Sequence, residues 1–168
     1  MIIRPATADD IEVMRAIEVD AGERFRSIGL DVIADDEPPT DQELHRHLAD
    51  DTAWVAESAG RVVGYATASV VDGDGHLDQV SILGSAAGRG IGRALVDRVV
   101  TWTHEAGRPA LTLTTFRDVA WNGPYYERLG FRQLAEDELG PELAALRRSE
   151  VAAGIEVLPR VAMARPVR

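Results

Sequence analysis

Three alternate glycines, Gly88, Gly90 and Gly92, separate an apolar run from a helical pattern and form the most chemically informative stretch of the chain. Glycine tolerates positive φ and lets the backbone approach a ligand closely. The first N–H groups of a helix lack intrahelical partners, and with the helix dipole behind them they bind phosphate oxygens. The spacing therefore predicts a binding site for a diphosphate, to which Arg89 and Arg93 could add positive charge.

Two other phosphate-binding loops fit this stretch poorly. A Walker loop has Lys and then Ser or Thr after its last glycine, whereas Arg93 and Ala94 follow Gly92 here. A dinucleotide-binding fold has the spacing G-x-G-x-x-G, but a reading from Gly88 places Arg93 at the sixth position. A glycine-rich connection between a strand and a helix, without any ligand, is the remaining alternative.

The elements that must position this turn follow from hydrophobic periodicity. β-Branched runs with turn signals between them predict strands at residues 2–4, 52–57, 61–71, 76–83, 110–116, 131–134 and 157–164. Helices are predicted after the capping boxes at Thr7 and Thr40, and at residues 91–107, 122–130 and 141–153, whereas residues 22–39 are predicted to be irregular. This order predicts an α+β fold with layered α/β/α architecture, in which helices flank a single mixed, largely antiparallel sheet of about six to seven strands.

The composition is that of an ordinary globular protein, with 45% hydrophobic and 27% charged residues. We expect residues 1–168 to form one domain in the cytoplasm, because no apolar stretch approaches the ~20 residues of a membrane span. The formal net charge of −10 argues against nucleic acid as a partner and mildly favours cationic substrates such as amines. Because the chain has no cysteine, a thiolate nucleophile is excluded.

Two motifs give the chain a family resemblance. Residues 87–92, Ala-Gly-Arg-Gly-Ile-Gly, resemble the acetyl-CoA motif Arg/Gln-x-x-Gly-x-Gly/Ala of the GNAT superfamily of N-acetyltransferases. Tyr126, Gly130 and Phe131 are similar to the family pattern Tyr-x-x-x-Gly-Phe. Alanine at position 87 departs from the family pattern, and it should weaken rather than abolish binding because the family's loop acts mainly through backbone N–H groups. The resemblance extends over the whole element order and implies a GNAT-like fold.

The resemblance also implies where acetyl-CoA would bind. The backbone N–H of Val80 would face the thioester carbonyl, and the N–H groups of residues 87–93 would receive the pyrophosphate. The expected cofactor-binding residues are Val80, Ser81, Ile82, Ala87, Gly88, Arg89, Gly90, Ile91, Gly92, Arg93, Asn122 and Tyr126. For Asn122, a helix-capping role is the alternative to a contact with the cofactor.

Proton transfer has three candidate residues. Tyr126 matches the family tyrosine near the CoA sulfur and would act as the acid, unless it is only a packed aromatic residue. His76 and Asp78 share the strand face of Val80 because side chains alternate along a strand. Several branches of the family carry their proton-removing group at these positions, and an unperturbed histidine has a pKa of ~6.5. Either residue could be the base, or both could be solvent-exposed residues after a turn.

Taken with the resemblance, these features predict an N-acetyltransferase. It would transfer the acetyl group of acetyl-CoA directly to a primary amine through a tetrahedral intermediate, without a metal. The acceptor would be a small molecule or a peptide, and the protein a monomer or a homodimer. The alternative is a catalytically silent module that binds or senses acetyl-CoA. A nucleotide-dependent enzyme is disfavoured by the missing Walker lysine.

Overall fold

The computed structural model describes residues 1–167. Its strands are β1 (Ile2–Pro5), β2 (Ala53–Ser58), β3 (Arg61–Val71), β4 (Asp74–Ile82), β5 (Ala110–Phe116), β6 (Arg132–Gln133) and β7 (Arg160–Pro166). Its α-helices are α1 (Ile11–Arg26), α2 (Asp31–Ala34), α3 (Asp41–Ala49), α4 (Ile91–Glu105), α5 (Gly123–Arg128) and α6 (Pro141–Ala152). Single 3₁₀ turns lie at Ala8–Asp10, Gly84–Ala86 and Glu136–Glu138.

The seven strands form one sheet in the order β1-β2-β3-β4-β5-β7-β6. The β1–β2, β2–β3, β5–β7 and β6–β7 pairs are antiparallel. The β4–β5 pair is parallel and joins Gly75 to Leu111 and His76 to Thr112. The predicted α+β class and the single mixed, largely antiparallel sheet flanked by helices are therefore confirmed.

The chain forms two compact units. Unit 1 contains Met1–Ser69 and Leu77–Val99, and unit 2 contains Val70–His76 and the chain from Val100 onward. In unit 1, the apolar stripe of α1 packs against α3, β2 and β3, and the buried members of this cluster are Ile11, Met14, Ile17, Leu44, Ala53, Val55 and Tyr65. In unit 2, Leu113 of β5 pairs with Met163 of β7, and both side chains are fully buried.

The segment at residues 22–39 is more regular than predicted. Helix α1 continues to Arg26, and α2 forms one further turn. The close approach of α2 explains why Gly22 is a glycine, because a Cβ there would lie 3.3 Å from the carbonyl oxygen of Ala34. Arg26 also pairs with Glu23 and Asp35 in this exposed region, where apolar periodicity is absent.

The β3–β4 turn is tighter than predicted. Asp72 and Gly73 have positive φ, at 52° and 82°, and β4 begins at Asp74 rather than His76. Gly75, predicted as part of the turn, is a buried strand residue where a Cβ would collide with the side chain of Thr103. β7 also begins and ends later than the predicted residues 157–164.

Within residues 1–167, no helix is both long enough and apolar enough to span a membrane.

Candidate active site

The glycine turn between β4 and α4 has the predicted backbone geometry. Gly88 and Gly90 have φ values of +76° and +75°, in the left-handed region that favours glycine. A Cβ at either position would have no neighbouring atom within 4 Å, so the surface of this turn is open. The turn is anchored on its other side, where the N–H of Gly84 donates to Asp20 Oδ2 at 2.7 Å.

Helix α4 presents its first N–H groups at the end of this turn. The N–H of Ala94 donates to the carbonyl oxygen of Gly90 at 3.1 Å and so makes the first bond of i→i−4 type. The N–H groups of Ile91, Gly92 and Arg93 come before Ala94 in the chain, and like the first amides of any helix they have no i→i−4 partner. The buried Ile91 side chain fixes this end of the helix in unit 1. The turn and the helix together provide amides suited to phosphate oxygens.

The two arginines of the turn lie at the surface. Arg89 is exposed, and the Arg93 side chain is 70% exposed with its Nε 3.6 Å from Asp97 Oδ2. An exposed pair of this kind is weak, so it leaves Arg93 able to reorient towards an anion. Ala87 is extended, with φ of −62° and ψ of 153°.

The end of β4 is bound to α1 by a polar cluster that the sequence did not reveal. Ser81 is 5% exposed, and its hydroxyl donates to Glu18 Oε2 at 2.5 Å. Gln79 Nε2 donates to Glu18 Oε1 at 2.8 Å, and the hydroxyl of Tyr65 donates to Glu18 Oε2 at 2.7 Å. Val80 and Ile82, on the alternate positions, are half-buried. The two residues that flank Val80 in the sequence therefore both contact one carboxylate.

A sequence signal for Glu18 exists. It follows the buried Ile17 directly and lies four residues after the buried Met14. A glutamate on the core-facing stripe of an amphipathic helix needs polar partners, because burying a carboxylate without them is costly. The partners come from β3 and β4, which the position in the sequence alone does not identify.

His76 is buried, with 3% of its surface exposed, so it is not the solvent-exposed turn residue that was the alternative. Within unit 2, its Nδ1 lies 2.8 Å from Thr112 Oγ1, and that hydroxyl also donates to the carbonyl oxygen of Gly75 at 3.3 Å. Because a hydroxyl has only one proton, the Thr112 hydroxyl accepts a hydrogen bond from His76 Nδ1 when its own proton is donated to Gly75.

Asp78 has different partners. Its Oδ1 accepts a hydrogen bond from Ser69 Oγ at 2.8 Å, and its Oδ2 lies 3.8 Å from His47 Nε2, all within unit 1. The carboxylate is partly exposed to solvent. Asp78 is therefore held by neighbours in unit 1, and its role as the base stays a prediction, as does that of His76.

Tyr126 is the buried tyrosine of α5. Its ring meets those of Tyr125 and Phe131 edge to face, at centroid distances of 5.4 and 5.7 Å. Burial raises the pKa of Tyr126 above its ordinary value, so the hydroxyl stays protonated at neutral pH. A protonated phenol can act as a donor or as an acid. The half-buried Tyr125 is the more exposed of the two.

The capping role considered for Asn122 is wrong. Its side chain makes no cap bond to α5, and its Oδ1 is buried without a hydrogen-bond partner among residues 1–167. The backbone explains this, since Asn122 has φ of −116° and ψ of −111°, outside the extended conformation usual for a cap. A buried acceptor without a donor is costly, so this atom is suited to a donor supplied by a ligand.

The sheet order and the glycine turn before α4 define an α+β protein of the CoA-dependent acyltransferase class, as the resemblance implied. The chain belongs to the acetyltransferase (GNAT) family, whose model matches residues 14–131. The match includes the glycine turn, β4 and Phe131, whereas α6 and β7 lie beyond it. Acetyl transfer and CoA binding are thereby supported as the general activity.

Solved structures share this fold. Rv2747 from Mycobacterium tuberculosis, in complex with CoA and NLQ, is 19% identical with a TM-score of 0.76, over 100% of both chains. N-acetylglutamate synthase from Neisseria gonorrhoeae, complexed with CoA and N-acetyl-glutamate, is 19% identical with a TM-score of 0.74 over 99% of this chain. The present chain spans only 35% of that synthase. The ribosomal-protein-S18-alanine N-acetyltransferase of Escherichia coli is 16% identical with a TM-score of 0.68, over 99% of this chain and 93% of that one. At these identities the likeness establishes the fold.

Proposed function

We propose that this protein is an N-acetyltransferase that transfers the acetyl group of acetyl-CoA directly to a primary amine. The observation that carries the proposal is the open glycine turn, in which Gly88 and Gly90 adopt positive φ immediately before α4. Family membership supplies the reaction class. The amine acceptor is supported by the neighbours whose own names describe N-acetylation of an amino acid or of a ribosomal protein.

The residues present fit acetyl-CoA. The N–H groups of residues 91–93 are suited to pyrophosphate oxygens, and Arg89 and Arg93 lie at the same turn. The buried Oδ1 of Asn122 could accept a hydrogen bond from an amide N–H, a group that pantetheine contains. The exposed Ala87 provides no side-chain donor, so the turn would depend on its backbone for affinity.

The proposed reaction has three chemical requirements. The amine must lose a proton before its nitrogen forms a bond to the thioester carbon, and His76 or Asp78 would accept that proton. The N–H of Val80 would stabilise the oxyanion of the tetrahedral intermediate. When the carbon–sulfur bond breaks, the hydroxyl of Tyr126 would protonate the departing thiolate. No thiol-based acyl-enzyme is available, because the chain has no cysteine.

The experiment is acetyl-CoA turnover across a library of primary amines and peptides. Since the protein has no cysteine, a thiol reagent in the assay reports only the released CoA. Mass spectrometry of the acceptor then identifies an N-acetylated product. Release of CoA with an N-acetylated acceptor supports the proposal, whereas binding of acetyl-CoA without turnover on any amine would indicate the silent module instead.

A further inference from the structure

The Glu18 carboxylate is held by three neutral donors. The hydroxyl groups of Tyr65 and Ser81 both donate to Oε2, and the side-chain amide of Gln79 donates to Oε1. Burial and the nearby negative charge of Glu18 raise the pKa of Tyr65 well above its ordinary value, so this donor keeps its proton. The cluster fixes the position and orientation of the carboxylate without supplying a positive charge to neutralise it.

The carboxylate retains capacity for a further hydrogen bond. A carboxylate offers about four acceptor positions, two on each oxygen. Oε2 receives two donors and Oε1 receives one, so one position on Oε1 is left after these three bonds. Glu18 is half-buried, and therefore solvent reaches part of the residue. A partly desolvated carboxylate with an open acceptor position is suited to a cation that donates hydrogen bonds.

The place of this carboxylate along β4 relates it to the proposed reaction. Gln79 and Ser81 are the neighbours of Val80, and adjacent residues of a strand are only ~3.3 Å apart along its axis. Glu18 therefore lies next to the strand segment whose backbone N–H would face the acetyl carbonyl. In an acetyl transfer, the amine nitrogen must come within ~3–3.5 Å of that carbonyl carbon.

We propose that Glu18 binds the ammonium group of the acceptor and thereby selects amines that are cationic at neutral pH. Tyr65, Gln79 and Ser81 position the carboxylate for this role. The inference rests on the proposed N-acetyltransferase function and adds a residue that recognises the acceptor. A second possible role for the cluster is purely structural, as an attachment of α1 to β4, and the two roles differ in their effect on kinetics.

The test compares Glu18→Gln with Glu12→Gln. Glu12 is exposed on the same helix, so the control removes the same charge from the chain without touching the cluster. The two acceptors are n-butylamine, an ammonium ion at neutral pH, and hydroxylamine, a small nucleophile that is mainly neutral there. Glu18→Gln should raise KM for n-butylamine about tenfold to a hundredfold, as expected for loss of a charged hydrogen bond. In Glu18→Gln, the KM values for hydroxylamine and for acetyl-CoA should stay within about twofold of the wild-type values. In Glu12→Gln, the KM values for n-butylamine, hydroxylamine and acetyl-CoA should all stay within about twofold of the wild-type values.

The outcomes separate the inference from the function on which it rests. If the wild-type protein acetylates n-butylamine and Glu18→Gln behaves like Glu12→Gln, Glu18 does not bind the ammonium. If Glu18→Gln raises KM equally for both acceptors, the cluster is structural and the inference is wrong. If the wild-type protein acetylates hydroxylamine but no cationic amine of the library, the inference is wrong while the proposed function stands. If it acetylates no amine of the library, both fail.

A measurement on the wild-type protein covers the case in which Glu18→Gln does not fold. n-Butylguanidine keeps a positive charge and N–H donors at neutral pH but has no nucleophilic lone pair, and 1-butanol is a neutral analogue of similar chain length. If Glu18 provides a negative charge and an acceptor position for the acceptor, n-butylguanidine should inhibit acetylation of n-butylamine competitively and 1-butanol should not. Equal inhibition by the two compounds would show that charge is not recognised, which overturns the inference.

Discussion

Replacing Gly90 with valine should remove acetyl-CoA binding while leaving the protein folded. Gly90 has φ of +75°, and a side chain added there would occupy open space at the glycine turn. A residue other than glycine in the left-handed region costs ~1–2 kcal/mol, and valine is among the less tolerant. For a chain of this size that cost lowers Tm by roughly 2–8 °C. The protein should therefore fold, but with an obstructed and distorted turn.

Gly60 provides a matched control for that substitution. It has φ of +72° in the β2–β3 turn, and a Cβ there also has no atom within 4 Å. Gly60→Val should consequently lose a similar amount of stability at a position outside the proposed site. A comparison of the two variants separates the backbone cost, which they share, from the loss of the ligand.

The ligand effect can be estimated for a thermal-shift assay. A ligand at a hundredfold excess over Kd stabilises the native state by ~2.7 kcal/mol, which corresponds to a rise in Tm of roughly 5–10 °C. A hundredfold weaker affinity reduces this gain to ~0.4 kcal/mol, a shift of less than about 2 °C. Acetyl-CoA should therefore raise Tm in the wild type and in Gly60→Val but not in Gly90→Val, whereas ATP and NAD should raise it in none. The same acetyl-CoA shift in both glycine variants would refute the assignment of the phosphate site.

Four further substitutions test other residues. Tyr126→Phe should lower the rate of CoA release by a factor of ~10²–10⁴, the usual range for an acid catalyst, with little change in acetyl-CoA affinity. Unchanged turnover would show that Tyr126 only packs in the core. His76→Ala or Asp78→Asn should lower kcat/KM most near neutral pH, with recovery at high pH where the amine is already neutral; wild-type pH profiles in both variants would place the base elsewhere. Asp10→Asn should reduce the free energy of unfolding in urea by ~1–3 kcal/mol at neutral pH. The Arg4 guanidinium holds the pKa of the Asp10 carboxyl below its usual value. The stability that Asp10 contributes is therefore present at neutral pH and is lost as the pH falls through the folded-state pKa. If the difference in unfolding free energy between the wild type and Asp10→Asn does not depend on pH, this reasoning is wrong.

Features encoded by neighbouring residues were predictable from the sequence. The turn at Gly88 and Gly90 and the start of α4 depend on the conformational range of glycine and on local periodicity, and both were predicted. The capping box at Thr40 is equally local, and its hydroxyl accepts a hydrogen bond from the Glu43 N–H at 3.2 Å. In such cases the residues that determine the geometry are adjacent in the chain, and so the sequence displays the whole interaction.

Features that depend on distant residues were not predictable. Glu18 meets Gln79 and Ser81 across 61 and 63 positions of sequence, so no local pattern could identify these partners. Asn122 was considered as a cap because of its residue type, but its backbone conformation is incompatible with that role. The adjoining Gly123 packs against the backbone of Arg117, where a Cβ would collide with the carbonyl oxygen. A tertiary contact thus accompanies the unusual geometry at this helix start.

The β4–α4 segment combines two opposite electrostatic environments. At the glycine turn, helix amides and the side chains of Arg89 and Arg93 favour an anion, against the repulsion expected from a formal net charge of −10. Near Val80, the carboxylate of Glu18 favours a cation, in agreement with the overall charge. An acyl donor with a diphosphate and an acceptor with an ammonium group would therefore be attracted to different parts of one continuous segment. Under the proposed function, such a separation would assign the two substrates to distinct positions before reaction, because each charge would be repelled from the position of the other.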